Sequence, residues 1–183
     1  MLELNFSPFP EIRTNRLLLR RVVKEDAAAI LELRSLDATM QYIDREKLTS
    51  PEEALALIQT INDSVDSNNG INWAITLIDE PQVLIGTIGF WRITKQHYRA
   101  EAGYMLHPRY WNKGIMKEAL QTVIRFGFDT MQLHSIEAHI NPGNAASAAL
   151  LEKTGFIREA YFKEDYYFRG SFIDTAIYSL LVS

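Results

Sequence analysis

The chain has 183 residues, a formal net charge of −4, 47% hydrophobic residues and no cysteine. The length predicts one domain over residues 1–183, large enough to bury a core. The lack of cysteine excludes disulfides, thiolate metal sites and a cysteine nucleophile. The negative charge argues against direct nucleic-acid binding, and no apolar run approaches the roughly 20 residues that span a membrane. With no basic-then-apolar signal pattern at the start, we expect a cytoplasmic protein that binds no membrane.

The first half of the chain alternates strand-like and helix-like segments. Residues 16–23 predict a strand, and residues 25–34 predict a helix with one apolar face. A second helix is marked by Ser50 as N-cap, Pro51 at the first helical position and Glu53 as the partner of a capping box. Three strand-like runs follow at residues 71–78, 83–93 and 98–106, the first two joined by a turn at 79–82. Gly86 and Gly89 indicate a bulge or a close backbone approach in the middle run.

The second half predicts a crossover and a closing hairpin. We expect a helix over residues 115–130, a strand over 134–140, and a helix capped by Asn144 and ended by Gly155. Two strands, 156–168 and 172–182, close the chain. A helix between two strands favours a parallel pair, whereas the hairpins favour antiparallel pairs. The fold class is therefore a mixed α/β sheet in one layered domain.

The turn between the third of these runs and the helix at 115 is the clearest sign of a binding site. Free amides at a helix start attract an anion because the helix dipole is positive there. Gly114 allows close approach to a ligand, and Lys113 adds a cation beside it. The sequence contains neither a P-loop nor a dinucleotide fingerprint. We therefore expect an anion held mainly by backbone amides.

Four motifs in combination resemble the GNAT superfamily of N-acetyltransferases, and within it the RimJ/RimL-type ribosomal-protein N-terminal acetyltransferases. The motifs are Arg16-Leu-Leu-Leu-Arg20; Glu101-Ala-Gly-Tyr-Met-Leu-His-Pro108 with Tyr110-Trp-Asn-Lys-Gly114; Asn141-Pro-Gly-Asn144 with Ser147; and Glu152-Lys-Thr-Gly-Phe156. Asp174 and Tyr178-Ser-Leu-Leu181 near the end are also similar to that group. The resemblance covers nearly the whole chain.

The resemblance implies acetyl transfer from acetyl-CoA to an amine, without a metal. It implies a single-domain fold whose mostly antiparallel sheet is splayed at the acetyl-CoA cleft and flanked by about four helices. The pyrophosphate of the cosubstrate would lie on the turn formed by Trp111, Asn112, Lys113, Gly114, Ile115 and Met116. The pantetheine arm would lie between two strands, with Met105, Leu106, Asn141 and Asn144 as contacts.

Two positions depart from the family pattern. Met116 replaces a small residue in the turn, although its side chain could point into the core. Leu151 occupies the position at which many relatives carry a tyrosine that protonates the leaving thiolate. That role has no counterpart at this position.

Two residues are candidates for the chemistry. The resemblance places Glu101 near the amine, where a carboxylate could act as base, and an exposed strand residue is the alternative. Ser147 could donate a hydrogen bond or relay a proton to the thiolate, and a role at the helix start is the alternative. Tyr104 alternates away from Glu101 on an ideal strand and is expected in the core. The four histidines are expected to lack the carboxylate neighbours of a metal site.

These features lead to one main hypothesis and two alternatives. The main hypothesis is an acetyl-CoA-dependent N-acetyltransferase acting on the N-terminal α-amine of a protein, with a ribosomal protein as the leading partner. One alternative is the acetylation of a small amine such as an antibiotic or polyamine. The other is a CoA-binding sensor without catalysis. We expect a monomer or a homodimer.

Overall fold

A computed structural model describes residues 1–182 and contains one sheet of eight strands. In chain order the strands are β1 (Ile12–Arg13), β2 (Leu17–Arg21), β3 (Ile71–Leu77), β4 (Gly86–Thr94), β5 (Arg99–Leu106), β6 (Ser135–Ile140), β7 (Ile157–Phe168) and β8 (Ser171–Leu181). Their order across the sheet is β1-β2-β3-β4-β5-β6-β8-β7. The mixed sheet predicted from the sequence is confirmed.

Five α-helices flank the sheet in the described residues, one more than expected. They are α1 (Ala27–Ser35), α2 (Asp37–Met40), α3 (Pro51–Asp66), α4 (Ile115–Arg125) and α5 (Ala145–Lys153). A π-helical turn, Phe126–Thr130, extends α4 to the end predicted for it. Within residues 1–182, none of these helices combines the length and the apolar character that crossing a bilayer requires.

The helix ends follow the local signals in the sequence. Ser50 accepts a hydrogen bond from the amide of Glu53 at the start of α3. The Glu53 carboxylate in turn accepts from the amide of Thr49, one residue before the position that a capping box predicts. Asn144 caps α5 by accepting from the amide of Ser147. Gly155 follows that helix with a positive φ of 96°, which glycine adopts without a steric penalty.

The close approaches predicted at the glycines of β4 are confirmed, but the bulge lies elsewhere. A Cβ on Gly89 would lie 2.1 Å from the carbonyl oxygen of Ile71, so only glycine fits between these strands. The register of β4 against β5 shifts between Trp91 and Thr94, and Arg92 there has a φ of 45°. This bulge turns the Arg92 side chain toward β5.

The two central strands separate part-way along their length. β5 and β6 are the only parallel pair among the strands of residues 1–182, and their register ends at Glu101 opposite Glu137. β5 nevertheless continues to Leu106, and β6 continues to Ile140. A cleft therefore opens between the strands directly beyond Glu101.

The two faces of β5 look into different cores, since side chains alternate along a strand. Ala100, Ala102 and Leu106 pack in the core that also contains buried residues of α4. Met105 packs in the second core, with residues of α1 and α3. Glu101 shares the face of Met105, whereas Tyr104 packs against the first core.

Candidate active site

The turn before α4 has the geometry expected of an anion site. Asn112 and Gly114 have φ values of 59° and 72°, so the chain reverses sharply in front of the helix. Residues 111–114 are exposed, and Ile115 is buried as the first helical residue. Met116 packs against the core, so its side chain leaves the turn free. The amides at the start of α4 are thus accessible to a ligand.

Contacts from both sides hold this turn in place. The Trp111 indole donates to the carbonyl oxygen of Leu106 at 2.7 Å, and the Lys113 ammonium lies 5.4 Å from the centroid of the Tyr110 ring. On the other side, Arg16 donates to the carbonyl oxygen of Lys113 at 2.9 Å and forms an ion pair with Glu118. The turn is therefore anchored to the end of β5 and to the start of β2. Arg16 also adds a second cation to the one predicted at Lys113.

Met105 and Leu106 are the two strand residues expected to contact the pantetheine arm. Their backbone N–H and C=O groups point to opposite edges of β5. The carbonyl oxygen of Met105 lies 2.5 Å from the position that a Cβ on Gly86 would occupy, which directs it toward β4. Leu106 alternates with it and therefore turns its backbone toward the cleft. Its carbonyl oxygen is already taken by Trp111, which leaves its amide as the group free to pair with a ligand.

Three polar residues lie beyond the end of β6, on a turn and at the start of α5: Asn141, Asn144 and Ser147. Asn141 accepts from the amide of Gly143 at 2.8 Å, and Asn144 accepts from the amide of Ser147 at 3.1 Å. Their side-chain oxygens therefore shape the local backbone. The side-chain amide nitrogens of both residues have no hydrogen-bond partner within residues 1–182, so they remain able to donate to a ligand.

A hydrogen bond connects the two sides of the cleft. The hydroxyls of Tyr104 on β5 and Ser147 on α5 lie 2.7 Å apart. Burial raises the pKa of Tyr104 to about 12, although the bond to Ser147 works in the opposite direction. The sequence predicted Tyr104 as a core residue, and its ring does pack there. Its bond to a residue 43 positions away had no signal in the sequence.

Glu101 lies at the fork between β5 and β6 and is only 3% exposed. Arg92 donates to its carboxylate at 3.0 Å. The carboxylate of Glu137 and the ring of His139 both lie close to the carboxylate of Glu101. Burial raises the pKa of Glu101 above its usual value, and the nearby charges of His139 and Arg92 offset this only in part. The alternative of an exposed strand residue is wrong, because the side chain is buried.

The surroundings of the histidines correct a sequence-based expectation. His139 lies 3.6 Å from the Glu137 carboxylate, and His107 lies 3.1 Å from that of Glu32, so two histidines do have carboxylate neighbours. Candidate ligand atoms of Glu101, Glu137 and His139 all lie within 4.8 Å of one another. Arg92 and Arg99 pair with the two carboxylates at 3.0 and 2.7 Å. These guanidinium groups already balance the acidic charge that would attract a metal cation.

A pocket of about 290 Å³ opens beside Glu101 on the face away from the Tyr104–Ser147 bond. Its lining combines aromatic and charged side chains: Tyr42, Ile43, Asp44, Arg45, Trp91, Arg92, Glu101, His139, Ile140, Asn141, Asp165, Tyr166 and Thr175. One wall is the segment before α3, and the opposite wall is the hairpin of β7 and β8. The bidentate pair between Glu46 and Arg169 joins these walls. The arrangement offers a polar pocket that ends at a buried carboxylate.

Comparison with known proteins decides the family. The family model for the GNAT acetyltransferase domain matches residues 16–157. The chain is 37% identical over 173 residues to the uncharacterized N-acetyltransferase YoaA of Bacillus subtilis, covering 94% of this chain and 97% of the relative. The chain belongs to the GNAT acetyltransferase family. It is accordingly an N-acetyltransferase, as the resemblance implied.

Further relatives of this GNAT enzyme have names that state an acceptor. It is 28% identical over 181 residues to the [ribosomal protein uS5]-alanine N-acetyltransferase of Escherichia coli, covering 95% of this chain and 93% of the relative. It is 24% identical over 160 residues to the spermidine N(1)-acetyltransferase of Vibrio cholerae, covering 87% and 90%. The solved structure of a GNAT acetyltransferase from Bacillus anthracis superposes with a TM-score of 0.83 at 31% identity, covering 94% of this chain and 98% of that one. This agreement confirms the GNAT fold.

One stretch of β5, which pairs with β4 but not with β6, joins the point where β5 and β6 separate to the turn at residues 111–116. The stretch from Ala102 to Leu106 is extended and spans roughly 13 Å at the usual rise of a strand. A ligand with an anionic group at one end and an extended arm fits this layout, which is the chemistry of a coenzyme A thioester. Leu151 is fully buried in the core of this GNAT enzyme, so it contributes nothing to the cleft.

Proposed function

We propose that this enzyme transfers the acetyl group of acetyl-CoA to the N-terminal α-amine of a protein, with a ribosomal protein as the first candidate acceptor. The observation that carries the proposal is the position of Glu101. This carboxylate is buried at the fork between β5 and β6, where the cleft begins, and it also lines the 290 Å³ pocket. The cleft and the pocket therefore meet at one acid.

In this proposal the turn at residues 111–116 holds the pyrophosphate. The amides at the start of α4 donate to the phosphate oxygens, and Lys113 adds positive charge. The amide of Leu106 and the side-chain amides of Asn141 and Asn144 bind the extended arm. Ser147 lies beside the same cleft and takes part at the sulfur.

The pocket receives the acceptor in this proposal. An amine attacks only in its neutral form, so a base has to take a proton at or near the time of attack. Because burial raises the pKa of Glu101, its carboxylate is a stronger base than that of an exposed glutamate. Glu101 then accepts the proton of the amine directly or through a water molecule.

The acceptor class is supported by the relatives and by the position of the pocket. The name of the E. coli relative gives an alanine of ribosomal protein uS5 as its acceptor, and this relative aligns with nearly the whole chain. A pocket that lies between a loop and a hairpin can admit the end of a peptide whose remainder stays outside. A small polyamine is the second candidate, because the pocket lining includes Asp44 and Asp165 and because one relative is a spermidine acetyltransferase.

Release of free CoA thiol from acetyl-CoA tests this proposal. The acceptors are peptides that begin with alanine or serine, the same peptides with a blocked N-terminus, and spermidine. We expect thiol release with the free peptides and none above background with the blocked ones. A higher kcat/KM for spermidine than for the free peptides would show that the acceptor is a small amine and not a peptide. No thiol release with any amine, in a protein that binds CoA, would overturn the proposal.

A further inference from the structure

Gly103 lies in the interior of β5, two residues beyond Glu101 and on the same face of the sheet. It pairs with Gly89 of β4, and the register of the two strands is regular at this position. Its φ is not positive. Neither a bulge nor a left-handed backbone therefore requires a glycine here.

Packing within the protein does not require this glycine either. A Cβ on Gly103 would lie 3.5 Å from Nε1 and 4.0 Å from Cδ1 of Trp91, and among residues 1–182 no other atom outside its chain neighbours comes within 4 Å. Gly89 differs, because a Cβ there would lie 2.1 Å from a carbonyl oxygen. A glycine weakens the interior of a strand. Where the fold does not need it, such a glycine marks a place at which a ligand approaches the backbone.

The space above Gly103 adjoins the pocket that is proposed to receive the acceptor. Trp91 lies opposite Glu101 in the register and diagonally across from Gly103. Trp91 and Glu101 both line the 290 Å³ pocket, and Gly103 is only half-buried, so it can be reached from there. Tyr104, the next residue, points to the opposite face. An occupant of the space above Gly103 is therefore a part of the acceptor.

Trp91 places a hydrogen-bond donor at the edge of this space. An indole carries one N–H group and accepts no hydrogen bond. The N–H groups of Trp73 and Trp111 donate to backbone carbonyl oxygens at 2.7 Å, whereas that of Trp91 has no partner within residues 1–182. The guanidinium groups of Arg92 and Arg45 lie 4.6 and 5.8 Å from the centroid of the Trp91 ring and hold it in place. A positioned donor is thus available to a ligand.

We propose that Glu101, Gly103 and Trp91 form a subsite for the first residue of a peptide acceptor. This inference rests on the proposed acetyl transfer to a peptide. The α-carbon of that residue carries an amine, a side chain and a carbonyl group, and the subsite offers a place for each. The amine lies at Glu101, the side chain enters the space above Gly103, and the carbonyl oxygen accepts a hydrogen bond from the Trp91 indole.

This subsite sets both the size and the class of the acceptor. The space takes a side chain of about the size of a methyl group, because a Cβ on Gly103 would already touch the indole of Trp91. Alanine fits, whereas a longer side chain such as that of leucine collides with the ring. A polyamine has no carbonyl group, so it leaves the indole N–H without a partner. The subsite therefore favours a peptide with a small first residue.

Gly103→Ala tests the space by filling it with a methyl group. The measurement is kcat/KM for peptides that are identical except that they begin with glycine, alanine or leucine. We expect wild type to favour the alanine peptide over the leucine peptide. In Gly103→Ala the ratio of the alanine peptide to the glycine peptide should fall at least tenfold, since one methyl group in a close pocket changes discrimination by about 10- to 200-fold.

The melting temperature separates this role from packing. Gly103→Ala should melt at the wild-type temperature or above it, because the new contact is an ordinary one and alanine restricts the unfolded chain. Gly89→Ala is the contrasting variant and should melt well below wild type, since its Cβ would overlap the carbonyl oxygen of Ile71. A comparable loss in Gly103→Ala would show that the glycine serves packing and would contradict the inference.

A thioamide in place of the first peptide bond tests the indole N–H, because sulfur is a weaker hydrogen-bond acceptor than oxygen. We expect the thioamide to lower kcat/KM about fivefold in wild type. Trp91→Phe should lower kcat/KM for the ordinary peptide by a similar factor, and the thioamide should then cause no further loss. Trp111→Phe is the matched control: it removes an indole outside the pocket and should keep the wild-type ratio between the two peptides.

The results distinguish this inference from the proposed function. If wild type acetylates peptides but Gly103→Ala keeps the same ratio of alanine to glycine, the subsite is wrong while acetyl transfer to peptides stands. An equal effect of the thioamide in wild type and Trp91→Phe would also contradict the subsite. If wild type acetylates no peptide, the proposed function fails and this inference fails with it.

Discussion

The indole nitrogen of Trp111 donates a 2.7 Å hydrogen bond to the carbonyl oxygen of Leu106. This bond holds the first residue of the turn at residues 111–116 next to the last residue of β5. Since the same strand borders the cleft, this one bond fixes the distance between the two regions that a CoA molecule would span. Trp111 is 42% exposed, so it contributes more to this geometry than to the core.

Trp111→Phe removes this bond and keeps a ring of similar shape. A hydrogen bond of this kind contributes about 1 kcal/mol, so we expect acetyl-CoA affinity to fall about fivefold by calorimetry. Trp91→Phe is the control, since Trp91 lines the 290 Å³ pocket beside Glu101 and should leave the affinity unchanged. Equal affinity in wild type and Trp111→Phe would show that the turn keeps its position without the bond.

Lys113→Ala tests the charge at the turn. The ammonium is exposed and lies over the Tyr110 ring, so water and salt screen its attraction for phosphate. We expect a fall in acetyl-CoA affinity of about 1 kcal/mol at low salt, and a smaller fall at 0.5 M salt. Lys117→Ala, an exposed lysine one helical turn further along α4, is the matched control. A loss that does not depend on salt would argue against a phosphate at this position.

Glu101→Gln tests the base. The amide keeps the shape and the bond to Arg92 but can no longer accept a proton. We predict a fall in turnover of roughly 10²-fold, within the range for loss of a positioned base. The acidic limb of the kcat/KM profile should change with it, unless the titration of the free amine sets that limb. Wild-type turnover and an unchanged profile would remove Glu101 from the mechanism.

Glu137→Gln should move the same limb without removing the base. Glu137 lies beside Glu101, where its negative charge helps to raise the pKa of that residue. The substitution also releases Arg99, which pairs with Glu137 at 2.7 Å. Both changes favour the ionised form of Glu101, so its pKa should fall. We expect the acidic limb of kcat/KM to shift to lower pH with kcat reduced less than tenfold, and a shift to higher pH would contradict this assignment.

The burial of Glu101 also predicts a dependence of stability on pH. Because its pKa is raised by burial in the folded protein, the folded state keeps this proton to a higher pH than the unfolded chain does. The residue therefore costs stability as pH rises from the ordinary glutamate pKa, about 4.3, to the raised value. The melting temperature of Glu101→Gln relative to wild type should increase over that window. The exposed Glu159→Gln is the control for the loss of one carboxylate, and a difference for Glu101→Gln that does not increase over the window would contradict the burial argument.

The parts of the fold that were predicted from the sequence are those with strong local signals. The start of α3 at Pro51 and the turn at Gly155 follow from backbone chemistry that involves only a few neighbouring residues. The parallel pairing of β5 with β6 follows from the crossover helix between them. Strand β1 and helix α2 were missed because two and four residues are too short to show a period.

The site was harder to predict because its contacts join distant segments. The bond from Tyr104 to Ser147 and the group formed by Glu101, Glu137 and His139 arise only when β5 and β6 lie side by side. The approach of Arg92 to Glu101 also depends on a bulge in β4 whose position had no marker in the sequence. Family resemblance supplied Glu101 and Ser147 as candidates, but it gave no information about these neighbours.

Tandem mass spectrometry of an acetylated peptide tests the central claim most directly. The peptide begins with alanine, contains one internal lysine, and is incubated with the enzyme and acetyl-CoA. The account predicts a single added acetyl group on fragments that contain the N-terminal alanine, none on the lysine, and roughly a hundredth as much product with Glu101→Gln in the same time. An unmodified peptide alongside acetylated spermidine, or acetylation of the lysine alone, would contradict transfer to a protein N-terminus.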